Sequence, residues 1–112
     1  MKTTQFQKIA KALADPRRFE IFETIAAGDE MCCGSISECF PVSQATVSHH
    51  LKELADAGLI ERRSEGQFKY FSARRDVLAA YVEELTRRIN GKTRAKVKAH
   101  GGLRASTRVV RA

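Results

Sequence analysis

Apolar side chains recur every three or four residues along the first quarter of the chain, as is typical of amphipathic α-helices. This spacing predicts a first helix over residues 4–14. Asp15 and Pro16 fit a helix N-cap followed by proline at the first helical position, so a second helix is expected to begin there. Gly28 is expected to end it, because glycine adopts the backbone conformation that closes many helices.

The middle of the chain predicts a short helix, a turn and a longer helix. Ser35 is expected to cap a short helix that stops at Pro41, which cannot continue the backbone hydrogen bonding. Ser43 fits the N-cap of a second helix that ends at Gly58. A short helix, a turn and a capped longer helix in this order predict a helix-turn-helix, in which the longer helix faces DNA.

After Gly58 the apolar pattern changes from helical to alternating. Residues 59–63 and 68–72 are predicted to form two strands joined by a tight turn, which together make a basic hairpin, or wing. Asp76 is expected to cap a last helix. The predicted fold is therefore mainly α with a small β-hairpin: a winged helix-turn-helix with four helices before the hairpin and one after it.

The last helix carries an apolar stripe at four-residue spacing. A body of this size offers that stripe little core to cover, which favours burial against a second copy of the chain. Folding of the helix back onto its own domain is the alternative. The expected contacts of a homodimer formed through the terminal helices are Phe6, Ile9, Val77, Tyr81, Leu85 and Ile89.

Charge is distributed unevenly along the 112 residues, whose formal net charge is +7. Residues 1–89 hold 13 basic and 13 acidic side chains, whereas residues 90–112 hold 7 basic and no acidic ones. The sequence thus predicts one domain over residues 1–89 and a basic, disordered tail over residues 90–112. The high net charge belongs to the tail, so it does not itself support DNA binding by the domain.

Several classes of protein are disfavoured by the sequence. No secretory leader or membrane-spanning apolar run is present, so a cytoplasmic protein without a membrane partner is expected. No glycine-rich phosphate loop, two-histidine metal motif or convincing nucleophile constellation is present, so an enzyme is not expected, and no cofactor is required.

The front of the longer helix in the helix-turn-helix carries small and polar side chains. Entry into a major groove requires this, since base edges are read by donors and acceptors at close range. Gln44, Thr46 and Ser48 are expected nearest the bases of double-stranded operator DNA. Arginines on the wing can reach the DNA backbone or minor groove. The expected DNA-binding residues are Ser43, Gln44, Ala45, Thr46, Ser48, His49, His50, Lys52, Arg62, Arg63, Gln67 and Lys69.

The sequence resembles the ArsR/SmtB family of bacterial winged-helix repressors across residues 4–89. The resemblance lies in the runs Ala12–Arg18, Ser43–Leu51 and Lys52–Ile60 and in the wing from Arg62 to Tyr70. It implies a homodimer that binds operator DNA and is released by a metal, metalloid or oxidant. Repression is implied by the resemblance, because the residue pattern alone predicts only a DNA-binding protein.

Three cysteines, Cys32, Cys33 and Cys39, lie within eight residues. Arsenic sensors of the family often carry Cys-x-Cys here; Cys32 falls on the first of those positions, but Gly34 falls on the second. Thiolates suit arsenite or antimonite, and vicinal thiols can also be oxidised. Cys39 would join the other two only if the short helix unwound or began late.

The residues leave several functions open. The cysteines can sense As(III) or Sb(III), sense oxidation, or serve only structural roles in a repressor without a bound inducer. A basic protein that binds DNA without sequence preference is the remaining alternative.

Overall fold

The computed structural model describes the backbone of residues 1–100 and the side chains of residues 1–91. It forms two compact units, residues 1–81 and the part of the chain from residue 82 onward. The mainly helical architecture with a small antiparallel sheet confirms the predicted fold class. The elements are α1 (Thr3–Ala14), α2 (Pro16–Ala26), β1 (Met31–Cys32), α3 (Cys33–Glu38), α4 (Gln44–Asp56), β2 (Ile60–Glu65), β3 (Phe68–Ala73) and α5 (Arg75–His100).

The caps predicted for α2 and α4 are present. Asp15 Oδ1 accepts a hydrogen bond of 2.9 Å from the backbone N–H of Arg18. Ser43 Oγ accepts one of 3.1 Å from the backbone N–H of Thr46. Each bond satisfies a backbone donor that has no partner within its own helix, so these residues determine where α2 and α4 begin.

The predicted cap of the last helix is wrong. Helix α5 begins at Arg75, and Asp76 lies within its first turn. The Asp76 carboxylate instead accepts two hydrogen bonds, of 3.1 and 3.0 Å, from the guanidinium of Arg74.

The sheet contains a third strand that the sequence analysis missed. The strand order is β1-β3-β2, with Met31 opposite Phe71 and Cys32 opposite Tyr70. A strand of two residues is too short to show an alternating pattern, so only its pairing with β3 identifies it.

The predicted bounds of α3 are also corrected. The helix begins at Cys33 and ends at Glu38, before Pro41, and its N-cap position is occupied by Cys32. Ser35 therefore lies inside the helix, and its predicted role as the cap is wrong.

One apolar core lies beneath α4. The buried face of this helix repeats at helical spacing and consists of Val47, Leu51 and Leu54. Gly58 follows the helix with φ of +86°, a conformation that glycine adopts without steric strain. The chain then turns into β2. The core is completed by Ile9, Ala12, Ile21, Phe22, Ile25, Ile36, Ala57, Leu59, Ile60 and Phe71.

The second unit contains the remainder of α5. The apolar side chains Val82, Leu85 and Ile89 recur along it and are 52%, 38% and 54% exposed. The helical backbone continues to His100, into the segment where the disordered tail was expected to begin at residue 90. Residues 101–112 lie outside the described residues, so the disorder expected there and the domain boundary stay predictions.

Within the described residues, no helix is both long enough and apolar enough to cross a membrane.

Candidate nucleic-acid interface

Helix α4 separates polar side chains from apolar ones. Its buried positions recur every three or four residues, so the positions between them face outward. The outward set is small or polar, and no bulky apolar residue obstructs it. The residues of this outer face are Gln44, Ala45, Thr46, Ser48, His49 and Lys52, all of which are exposed.

Two of the predicted DNA-binding hydroxyls are hydrogen-bonded to each other. Ser43 Oγ lies 2.9 Å from Thr46 Oγ1, in addition to accepting the bond from the Thr46 backbone. Both side chains are exposed, but their hydrogen bonds cap the N-terminus of α4. Gln44 and Ser48 are therefore the more available groups for reading base edges.

His50 lies on the inner side of α4, in contrast to its neighbour His49. It is 8% exposed, and its Nδ1 accepts a hydrogen bond of 3.2 Å from Nε of Arg18 on α2. Burial holds the pKa of His50 below its ordinary value of 6.5. The DNA contact expected for His50 stays a prediction, but this position gives the imidazole little access to DNA.

The wing turns sharply between β2 and β3. Glu65 pairs with Phe68, which leaves a two-residue turn of Gly66 and Gln67. Gly66 has φ of +62°, and glycine at the first central position is typical of a type II′ hairpin turn. The predicted DNA-binding residues of the wing, which are Arg62, Arg63, Gln67 and Lys69, are all exposed.

Arg63 is already occupied by intramolecular contacts. Its Nε and Nη2 donate hydrogen bonds of 3.0 and 2.9 Å to the two carboxylate oxygens of Glu30. Its guanidinium lies 4.7 Å from the ring centre of Tyr70. The hydrogen bonds from Arg63 lower the pKa of Glu30. Among the described residues, Arg62 and Lys69 make no ion pair, so they are the wing cations available to a phosphate.

A groove separates α4 from the wing. Its volume is about 990 Å³, and both apolar and polar side chains line it. The outer face of α4, the basic side of the wing and the beginning of α3 thus share one concave surface. Residues representative of these three walls are Gln44, Ser48, Arg62, Lys69, Cys32 and Cys33.

The three cysteines do not form a ready-made ligand set. Cys32 and Cys33 are partly buried, whereas Cys39 is exposed and its Sγ donates a hydrogen bond of 3.3 Å to the carbonyl of Ser35. No group of three or more His, Cys, Asp or Glu side chains is arranged to hold a metal ion in the part of the chain that the structure describes.

The predicted dimer contacts fall into three groups. Phe6 and Tyr81 pack against each other with ring centres 5.1 Å apart, and Val77 is partly buried beside the core. Leu85 and Ile89 are exposed on the second unit. Ile9 is completely buried in the core of its own chain, so its assignment to a dimer contact is corrected.

Two side-chain pairs at this site were missed by the sequence analysis. Arg18 and His50 are 32 residues apart, and Glu30 and Arg63 are 33 residues apart. Pairs so distant leave no periodic signal in a single sequence. A histidine at a position where the helical period requires an apolar residue was the one indication that His50 has a buried partner.

Comparisons with known proteins agree with this geometry. A family model described as "Helix-turn-helix domain" matches residues 13–63. The chain is 37% identical over 82 residues to the transcriptional repressor SdpR of Bacillus subtilis, covering 73% of this chain and 90% of that protein. It is 32% identical over 85 residues to an arsenical resistance operon repressor of Staphylococcus aureus, covering 76% and 81%.

A solved structure supports the same relationship. It is the homodimeric winged helix-turn-helix DNA-binding domain of a possible ArsR-family transcriptional regulator from Mycobacterium bovis. Its TM-score is 0.63 at 28% sequence identity, and the alignment covers 78% of this chain and 81% of that one.

Proposed function

We propose that this chain, which belongs to the ArsR family of helix-turn-helix transcriptional regulators, is a homodimeric repressor that reads its operator with α4 and the wing. Membership of the family makes it a DNA-binding regulator of transcription. The observation that carries the proposal is the outer face of α4, which is polar, exposed and next to the unpaired wing cations Arg62 and Lys69.

The division of roles follows from the chemistry of each group. Gln44 offers an amide that can make two hydrogen bonds to adenine, and Ser48 offers a small hydroxyl. Arg62 and Lys69 would neutralise phosphates, which positions the protein but carries no sequence information. Lys52 is paired with Asp56 at 3.1 Å, and both side chains are well exposed, so this ion pair costs little to break.

The test begins with duplexes selected from a random pool for binding to the full chain. The dissociation constant is then measured by fluorescence anisotropy for the selected duplex and for a scrambled one. Gln44→Ala is expected to weaken binding to the selected duplex by about tenfold and to leave scrambled binding nearly unchanged, since a bidentate base contact contributes about 1–3 kcal/mol. Equal affinity of the wild type for both duplexes would refute sequence-specific reading.

Lys69→Ala supplies the contrasting result. It is expected to weaken binding to both duplexes and to reduce the slope of log K against log salt by roughly one. Lys8→Ala on α1 is the matched control, because Lys8 is exposed and does not line the groove. If both lysine variants change the salt slope equally, the wing is not the phosphate-binding element.

The alternative of nonspecific binding through the basic tail is tested by deleting residues 91–112. The deletion is expected to lower overall affinity and the salt slope while the preference for the selected duplex remains. Loss of that preference together with the tail would favour the nonspecific alternative.

Release from DNA is proposed to follow a reaction of the cysteines with a thiol-reactive inducer such as arsenite or antimonite. Three observations support this. Cys32 lies opposite Tyr70 in the sheet, so β1 connects the thiol directly to the wing. Cys33 begins α3, the helix that precedes α4 in the helix-turn-helix, so rearrangement at these thiols would displace both DNA-binding elements. The relative in Staphylococcus aureus is named for arsenical resistance.

The inducer is identified by measuring DNA affinity with arsenite, antimonite, zinc and peroxide at fixed salt, together with intact mass. Arsenite or antimonite is expected to weaken binding, and Cys32→Ser and Cys33→Ser are expected to abolish the response. Gly34→Cys, which supplies the Cys-x-Cys pattern, is expected to lower the arsenite concentration required. Release by peroxide alone would favour oxidation sensing, and no response to any of the four would favour a repressor without a thiol inducer.

A further inference from the structure

We propose that Arg18 and His50 act as a positioning pair that fixes the rotation of α4 against α2 and thereby sets the affinity for specific DNA. The inference rests on the proposed function, in which α4 reads the operator. Arg18 Nε donates a hydrogen bond of 3.2 Å to His50 Nδ1. The backbone N–H of Arg18 also donates to Asp15, the N-cap of α2. One residue therefore connects the first turn of α2 to the inner side of α4.

The pair supplies what the apolar core lacks. Burial of apolar surface holds α4 in place without a preferred direction, whereas a hydrogen bond weakens steeply as its angle departs from linear. His50 is the polar member of an inner face whose other buried residues are Val47, Leu51 and Leu54. Its bond to Arg18 thus gives that face a directional contact.

A small rotation of α4 has a large effect on the outer face. With side chains about 5–6 Å from the helix axis, a rotation of roughly 10° moves their ends by about 1 Å. That displacement is sufficient to lengthen a hydrogen bond from Gln44 or Ser48 to a base beyond its working range. A pair that touches no DNA can therefore change specific affinity.

The interaction requires the neutral imidazole. Nδ1 can accept a hydrogen bond only when it carries no proton, so the proton lies on Nε2. The charged and titratable groups that act on His50 are Asp15 at the N-cap of α2, Arg17 and Arg18 within α2, and His49 on α4. Burial outweighs the attraction of Asp15, which would favour the imidazolium, and the pKa of His50 stays below 6.5.

Matched substitutions separate hydrogen bonding from volume. Arg18→Gln keeps an N–H donor at the position of Nε, whereas Arg18→Met has a similar length and no donor. His50→Asn keeps a potential acceptor at the position of Nδ1, whereas His50→Leu fills the space without one. Arg17→Met is the control for charge, because Arg17 is the neighbouring arginine and is paired with Glu20.

Affinity for the selected and scrambled duplexes is measured for each variant and for the double variant Arg18→Met/His50→Leu. Each disrupting substitution is expected to weaken specific binding by about three- to tenfold, which is the effect of one hydrogen bond. The double variant is expected to bind the selected duplex no more weakly than the weaker-binding single variant, because both substitutions remove the same bond. Arg18→Gln and His50→Asn are expected to restore most of the affinity, and scrambled binding is expected to change little.

The inference would be overturned if the losses of specific affinity in the two single variants added up in the double variant and Arg18→Met also lowered the salt slope. Arg18 would then contact DNA directly. Losses that match a fall in the urea midpoint of unfolding would also overturn it, because the pair would then be only structural. If the wild type does not prefer the selected duplex, the proposed function itself fails; if it does and the losses are additive, only the positioning role fails.

A pH profile supplies the remaining readout. In a His49→Gln background, specific affinity is expected to fall as pH decreases through the pKa of His50, below 6.5, because Nδ1 gains a proton and the Arg18 bond is lost. His50→Asn in the same background is expected to flatten this dependence. Identical profiles for the two proteins would contradict the inference.

Discussion

Arg63 on the wing donates two hydrogen bonds to the carboxylate of Glu30, a residue that immediately precedes β1. The wing is thereby fastened to the segment that leads to the cysteines. The same contact neutralises a cation on the surface proposed to face phosphate, so Glu30 competes with DNA for Arg63.

Glu30→Gln is expected to strengthen DNA binding by about two- to fivefold and to steepen the salt dependence by roughly one unit, because Arg63 then keeps only its longer, exposed ion pair with Glu65, at 3.6 Å, and can exchange it for a phosphate. Unfolding stability should change little, since the pair is well exposed. Glu20→Gln, which removes the partner of Arg17 on α2, is the matched control. Equal effects of the two substitutions on the salt slope would show that Arg63 does not reach DNA.

Local signals account for the parts of the fold that the sequence predicted. Asp15 and Ser43 were predicted as caps because a cap acts within three residues of itself. The alternating pattern after Gly58 predicted the wing, because the two-residue period of a strand is visible among neighbouring residues. The two-residue strand β1 and the pair of Glu30 with Arg63 depend on the approach of distant segments, which no local period reports.

Local spacing also explains which part of the candidate DNA-binding surface was predicted from the sequence. The polar outer face of α4 was predicted, because its spacing relative to Val47 and Leu51 fixes which side chains face outward. The sequence also places Cys39 six residues after Cys33, and in the structure Cys33 begins α3 whereas Cys39 follows its last residue. The contact between Gln44 and a base stays a prediction.

Gly58→Ala is expected to destabilise the protein by about 1–3 kcal/mol, because a residue with a side chain is strained at φ of +86°. The added Cβ would also meet Gln5 Nε2 at 2.8 Å and displace its hydrogen bond to the carbonyl of Ala57. Urea unfolding measures the change. Gly34→Ala is the control, because Gly34 lies in α3 with open space around it, and it should be neutral or mildly stabilising. Equal stabilities of the two variants would contradict this interpretation.

Glu84 is expected to make stability depend on acid pH. Hydrogen bonds from Arg88 and Arg87, at 2.7 and 2.6 Å, lower the pKa of Glu84 from its ordinary value of 4.5 to about 2. The folded chain then holds fewer protons at this group than the unfolded chain between those two pH values. Its stabilising contribution is complete above pH 4.5 and is lost as pH falls towards 2.

The measurement for Glu84 compares urea midpoints of the wild type and Glu84→Gln from neutral pH to pH 2.5. The difference between them should shrink as the pH falls below 4.5. Glu83→Gln is the matched control, because Glu83 is an exposed neighbour on the same helix. A difference that stays constant over this range would show that the arginines do not hold the Glu84 carboxylate in its ionised form.

Leu85→Lys is expected to weaken the proposed homodimer by at least about tenfold. Val82, Leu85 and Ile89 form an exposed apolar stripe on α5, and a lysine within it would place an unpaired charge in the interface. Sedimentation equilibrium of the full chain measures the monomer–dimer constant directly. Ala80→Lys is the matched control, because Ala80 is exposed on the opposite side of the same helix and lies off the stripe. A wild-type protein that stays monomeric at micromolar concentration, or a Leu85→Lys variant that dimerises as tightly as Ala80→Lys, would contradict dimerisation through this stripe.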